Sequence, residues 1–161
     1  SIARQHLVNQ FLSHTPDRVY WALVRGQLKP ETGELRHDLK LTKHGFRQVA
    51  VDFPEPNTAI AVSRYKCVEY FHHATLTEIR LVTGLKNQIR VQLAAIGHSV
   101  VGDRHYCPEE SKESEIARQA LHALRLGFIH PTSEKYMEFS AELPKDFQHL
   151  LNRFRKSEKG A

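Results

Sequence analysis

The spacing of the β-prone runs constrains this chain most. Residues 61–71 and 75–82 are both rich in branched and aromatic side chains, and the His72-His73 pair between them predicts a hairpin. Val19 to Val24 is a third compact run, closed by Arg25-Gly26, and residues 121–129 and 136–141 read as two more strands. Helical spacing appears at residues 2–14, where Ile2, Ala3, Leu7, Val8, Phe11 and Leu12 recur on a helical period before Pro16-Asp17 breaks it. It returns at about 87–96, with Ile89, Leu93 and Ile96 on one stripe and Gly97 as the stop. A last helix is expected from about Lys145 to Phe154, carrying Phe147, Leu150, Leu151 and Phe154. Strands and helices therefore mix without a regular β-α-β alternation. That order predicts an α+β fold, a mixed and largely antiparallel sheet with flanking helices.

Between these elements lie two polar stretches. Residues 27–58 read as a long excursion, with short strands around 34–41 and 47–52. Residues 108–119 are charged and read as an exposed loop or short helix, and 155–161 as a frayed tail. There is no internal repeat. The 161 residues are expected to be one domain or a large piece of one, and 40% hydrophobic residues are enough for a real core. The opening Ser1-Ile2-Ala3-Arg4-Gln5-His6-Leu7 already reads as the inside of an amphipathic segment, so we expect the chain to begin within something larger.

A net charge of +5 with neutral histidines favours a polyanionic partner, with nucleic acid the default. No apolar run approaches bilayer length, so no membrane partner is expected. Cys67 and Cys107 form no CxxC pair, which fits a reducing compartment, a cytoplasmic location or an organelle matrix. Eleven histidines invite a metal reading through His72-His73, or through His98, His105 and Cys107, but none has the spacing of a zinc ligand set. No metal is expected.

The stretch Leu81-Val82-Thr83-Gly84-Leu85-Lys86-Asn87-Gln88-Ile89-Arg90 carries the most chemistry. It reads as a strand, a glycine turn and a helix start that presents Lys86, Asn87, Gln88 and Arg90 at the end of a sheet. It resembles the L-x-TGRxHQIR segment of RluA-like pseudouridine synthases. Four further pieces follow that family's order. Arg18-Val19-Tyr20-Trp21-Ala22-Leu23-Val24 with Gly26 is similar to KxYxAlvxG. Gly97-His98-Ser99-Val100-Val101-Gly102-Asp103-Arg104-His105-Tyr106 is similar to GhPivGDxxY. Leu121-His122-Ala123 with Leu126, Phe128 and His130-Pro131 is similar to LHAxxLxFxHP, and Leu143-Pro144 with Asp146 to LPxD. The resemblance runs from about Leu7 to Leu150.

The resemblance implies part of a pseudouridine synthase catalytic domain, its C-terminal portion. It implies isomerisation of uridine in rRNA or tRNA: the N1–C1′ bond breaks, the uracil turns, and C5 bonds to C1′, with no cofactor. RNA is the implied partner, DNA is not expected, and the full-length protein is expected to be monomeric. Tyr20 matches the family's active-site tyrosine, a ring near the target base with a hydroxyl suited to proton movement. Arg90 matches the arginine that pairs with the catalytic carboxylate. Ile89 matches the apolar residue beside the base, and Lys86, Asn87 and Gln88 are the remaining expected substrate contacts. His122 and His130 read as structural histidines within the same pattern.

Two departures qualify this expectation. The family's nucleophilic aspartate sits in an HRLDxxTSG segment ahead of the tyrosine, and no such segment occurs here. Arg36-His37-Asp38-Leu39 imitates it but lies after Tyr20, and no TSG follows. Without that partner, Arg90 is expected to be exposed or to recruit another anion. Leu85 and Asn87 also stand where the family has arginine and histidine. An alternative reading is therefore a catalytically inactive relative that holds RNA, and a third is a truncated product. A loose basic patch of Lys40, Lys43, His44 and Arg47 is available to an RNA backbone. A sheet missing partner strands would also expose apolar surface and lower solubility.

Overall fold

The computed structural model describes residues 1–42, 47–107 and 116–159. Its elements run α1 (Ile2–Leu12), β1 (Asp17–Arg25), β2 (Thr32–Leu41), β3 (Gln48–Val51), β4 (Thr58–Tyr70) and β5 (Ala74–Leu81). They continue α2 (Gln88–Ala95), β6 (Leu121–Ile129), β7 (Tyr136–Ser140) and α3 (Lys145–Lys159). The seven strands form one sheet in the order β3-β2-β4-β5-β1-β6-β7. Every pairing is antiparallel, so the fold is α+β as expected.

The His72-His73 hairpin is present, closed by a bond from the Phe71 N–H to the Ala74 carbonyl at 2.8 Å. The polar excursion is more ordered than its composition predicts. β2 runs ten residues along a thirteen-residue β4. Its regularity comes from alternation: Leu35 and Leu39 face inward opposite Ser63 and Ala59, and the charged residues between them point the other way.

Paired residues of an antiparallel ladder share a face, so the register sorts the side chains. Tyr20 stands opposite Ile79 and Ala123, Ile79 opposite Tyr65, and Leu81 opposite Ser63. These residues share the face that α2 covers. The register of β1 against β6 shifts between Val19 and Tyr20, leaving Leu124 extra at that step. Such bulges re-aim neighbouring side chains, and this one adjoins Tyr20. The core fills both faces, with Leu23, Leu76, Ile79, Leu93, Phe147 and Leu150 almost wholly buried.

Gly97 ends α2 at φ +79°, where the His98 N–H reaches the Leu93 carbonyl and the Gly97 N–H reaches that of Ala94. The expected frayed tail is corrected over residues 155–159: α3 continues to Lys159. Arg155 grips Glu69 through three contacts, Glu158 accepts from the His72 N–H at 2.6 Å, and Phe154 lies 5.4 Å from the Phe71 ring. These contacts hold the last turns against β4 and its hairpin. Residues 160–161, and 108–115 of the charged stretch, fall outside the described residues. Among the described residues no helix is long and apolar enough to cross a membrane.

Candidate active site

β1, the end of β5, the turn after it and the first turn of α2 converge on one pocket. Tyr20, Leu81, Leu85, Asn87, Gln88, Ile89, Arg90, Gln119 and Leu121 line it, around about 220 Å³. That is below the range of roughly 300–1,000 Å³ typical of drug-sized ligand sites, and it suits one flat ring.

A chain of buried amides fixes the corner. The Gln88 Oε1 accepts from the Thr83 hydroxyl at 2.7 Å and the Leu85 N–H at 3.0 Å. Its Nε2 donates to the Val62 carbonyl and the Ser63 hydroxyl. Ser63 donates onward to the Gln92 Oε1 at 2.6 Å, and the Gln92 Nε2 reaches the carbonyls of Leu35 and Ala61. Every polar atom of these two buried amides is used. The network locks α2 to β2 and β4, the strands beneath it. Asn87 takes the left-handed conformation, φ 56°, which asparagine tolerates better than most residues and which turns the chain into the helix.

That turn aims Arg90 into the pocket wall. Its Nε and Nη2 each lie 2.7 Å from a carboxylate oxygen of Asp103, a bidentate pair, and its Nη1 donates to the Asn87 Oδ1 at 3.2 Å. The Arg90 side chain is 12% exposed and that of Asp103 fully buried. Asp103 also accepts the backbone N–H groups of His105 and Tyr106. Burial pushes the Asp103 carboxyl up, but Arg90 and the two N–H groups outweigh it, and it titrates below the usual carboxylate range. The same hydrogen bonds raise Arg90, against the opposing effect of its own burial. The Tyr106 ring lies 5.2 Å from the Arg90 guanidinium carbon and 4.8 Å from that of Arg47. Of the five guanidinium N–H groups of Arg90, three are engaged, so one on each Nη stays available to the pocket.

The pocket thus brings together Tyr20, Asn87, Gln88, Ile89 and Arg90. Lys86 is exposed and outside its lining. Gln88 shows the pocket only its edge, because its amide is spent inside the protein. Arg90 does recruit another anion, and it is Asp103. Sequence reasoning assigned Asp103, Tyr106, Gln119 and Leu121 no role at the site. The need of a buried arginine for a partner, beside a Gly102-Asp103 turn, was the available signal for the first. Asp38 pairs with Ile60 on the face away from Tyr20, with β4 and β5 between its strand and β1.

Among the described residues no carboxylate lines the pocket, and no group of His, Cys, Asp and Glu side chains is placed to hold a metal. Three of the histidines have local partners: the His98 Nδ1 lies 2.8 Å from the Arg25 carbonyl, the His122 Nε2 3.2 Å from that of Ala141, and the His130 Nδ1 accepts from the Thr132 and Ser133 N–H groups. In the basic patch, Lys40 is paired with Glu55, and Lys43 and His44 lie outside the described residues.

A family model described as RNA pseudouridylate synthase matches residues 1–95. The uncharacterized RNA pseudouridine synthase YlyB of Bacillus subtilis is 36% identical over 156 residues, covering 97% of this chain and 50% of the relative. Ribosomal large subunit pseudouridine synthase D of Zymomonas mobilis is 36% identical over 92% of this chain and 48% of the relative. The chain therefore spans about half the length of the curated relatives it matches. Human RNA pseudouridylate synthase domain containing 4 superimposes with a TM-score of 0.75 over 94% of this chain and 67% of that one, at 23% identity, which supports the fold.

Proposed function

This chain belongs to the RNA pseudouridylate synthase family, and from that premise we propose that it carries the tyrosine–arginine side of an active site that isomerises uridine to pseudouridine in RNA. The observation that carries this reading is the convergence of Tyr20, Ile89 and Arg90 on one ring-sized pocket. Ile89 and the Leu81–Leu121 wall form an apolar slot for the base, with the Tyr20 ring beside it. The Tyr20 hydroxyl is the proton carrier at C5. The free Arg90 N–H groups hold the attacking carboxylate ionised and in place.

No side chain among the described residues is placed to supply that carboxylate. Asp103 is spent on Arg90 and two backbone N–H groups, and Asp38 faces away. The Leu85 and Asn87 departures change contacts at the rim without closing the pocket. Large-subunit rRNA is the favoured substrate, as three relatives' names specify, with tRNA the second choice. A cytoplasmic, monomeric protein without DNA partners fits this role.

The test is pseudouridine content of rRNA and tRNA transcripts, read by mass spectrometry, after incubation with two polypeptides. One is this chain alone. The other is a chimera carrying the unmatched half of the Bacillus subtilis relative ahead of Ser1. The expected result is pseudouridine with the chimera only. Turnover by the short chain would place the carboxylate within it. RNA binding without turnover by either would favour the inactive RNA-holding relative.

A further inference from the structure

A second compartment lies across Leu85 from the Tyr20 pocket, and Leu85 lines both. It is a groove of about 780 Å³ between α1 and the start of β1. Leu7, Val8, Phe11 and Leu12 form its apolar wall, with Arg18 and Gly84 on the other side. α1 is held in place by Gln10, which donates to the Ile129 carbonyl at 2.7 Å and accepts the Ile129 N–H at 2.9 Å. Leu12 is nevertheless 71% exposed, and Phe11 is partly exposed.

Arg18 is the unusual member. The residue is 8% exposed. Its Nη2 makes one long bond, 3.3 Å, to the Val82 carbonyl, and its Nε has no partner. No carboxylate among the described residues pairs with it. The guanidinium packs on Gly84, where an added Cβ would fall 2.2 Å from Nη1, and its carbon lies 5.8 Å from the Phe11 ring centroid. Burial pushes its pKa down, offset only in part by the nearby Tyr20 hydroxyl, and no carboxylate among the described residues balances the charge. An arginine stays charged regardless, so the groove holds an uncompensated cation against an apolar wall.

We infer that this groove docks an apolar polypeptide segment carrying an aspartate or glutamate whose carboxylate pairs with Arg18. The apolar wall calls for apolar side chains, and the buried cation for one fixed anion among them. A nucleic-acid backbone fits less well, since a chain of hydrated phosphates gains nothing from Leu7, Val8 and Leu12. The occupant is assigned to the part of the curated relatives that this chain does not span, about half of their length. The docked carboxylate is a structural anchor, separate from the group that attacks uridine, so the inference goes beyond the catalytic reading.

Fluorescein-labelled peptides, each about twenty residues long (one helix across a small domain), would tile the unmatched half of the Bacillus subtilis relative. Anisotropy would be read against the whole chain, its Arg18→Met, Arg18→Lys and Leu12→Glu variants, and a uridine-containing RNA oligonucleotide as competitor. The expected result is binding by one contiguous set of acid-bearing apolar peptides, weakened about tenfold or more by Arg18→Met and by changing the peptide's acid to its amide. Leu12→Glu, on an exposed position that leaves folding intact, weakens it as well, and Arg18→Lys retains most of it. Binding by no peptide overturns the inference. So does binding that stays within about twofold in both Arg18→Met and Leu12→Glu. Displacement by the oligonucleotide, lost in Arg18→Met, reassigns the groove to phosphate. Failure here, with pseudouridine still formed by the chimera, leaves the catalytic reading standing.

Discussion

Two arginines on one face of the sheet are both withdrawn from solvent, yet their surroundings are opposites. Arg90 meets a bidentate carboxylate, an asparagine and an aromatic ring, all from within residues 87–106. Arg18 meets one carbonyl at long range and an apolar helix. A buried charge is tolerated where the surrounding groups satisfy it. The contrast separates what this chain completes by itself, the Arg90 corner, from what it leaves open.

Mutation should reveal the contrast first as a difference in sign. Removing Asp103 strands a buried guanidinium, so Asp103→Ala is expected to destabilise by about 3–5 kcal/mol, read as the urea unfolding midpoint. A loss under about 1 kcal/mol would mean that Arg90 reaches water and the corner is not closed. Gln92→Leu removes the amide that ties α2 to β2 and leaves the Ser63 hydroxyl and two carbonyls short of partners. Its expected cost is about 1–3 kcal/mol in the same measurement.

Of the two arginines, acid should act on Arg90, through its partner Asp103. The folded Asp103 carboxyl titrates below its unfolded value, so its stabilisation is complete above the ordinary aspartate pKa of about 3.9. It is lost as pH falls through the lower folded value. Stability against pH should therefore slope downward below about pH 4 in the wild type, and less steeply in Asp103→Asn. Equal slopes would remove Asp103 from the balance. The smallest effect belongs to Arg18. In the chain alone, Arg18→Met deletes an unsatisfied charge and should leave stability unchanged or raise it by up to about 1 kcal/mol. A large loss would show that Arg18 is already satisfied.

How much of this was legible in the sequence follows from the physics of each part. The hairpin, the α2 stripe and the order of strands are local patterns, and periodicity exposed them. Tyr20, Ile89 and Arg90 were reachable through the motifs around them. The reach of β2 was not, because its stability comes from pairing with β4 rather than from composition. Nor were the tail's contacts, since Arg155 and Glu158 meet residues 86 positions away. Gln88 reads as a surface amide until Ser63 and Val62 are placed beneath it. Asp103 was visible only as part of a turn, because its role is set by a partner 13 residues earlier.

The most direct measurement is pseudouridine formed on large-subunit rRNA by the chimera with Tyr20 intact and with Tyr20→Phe. If the Tyr20 hydroxyl moves the proton at C5, the variant should lose about 100-fold or more in turnover while its unfolding midpoint and RNA affinity stay unchanged. Equal turnover in the two proteins would contradict the assignment of this pocket as the active site.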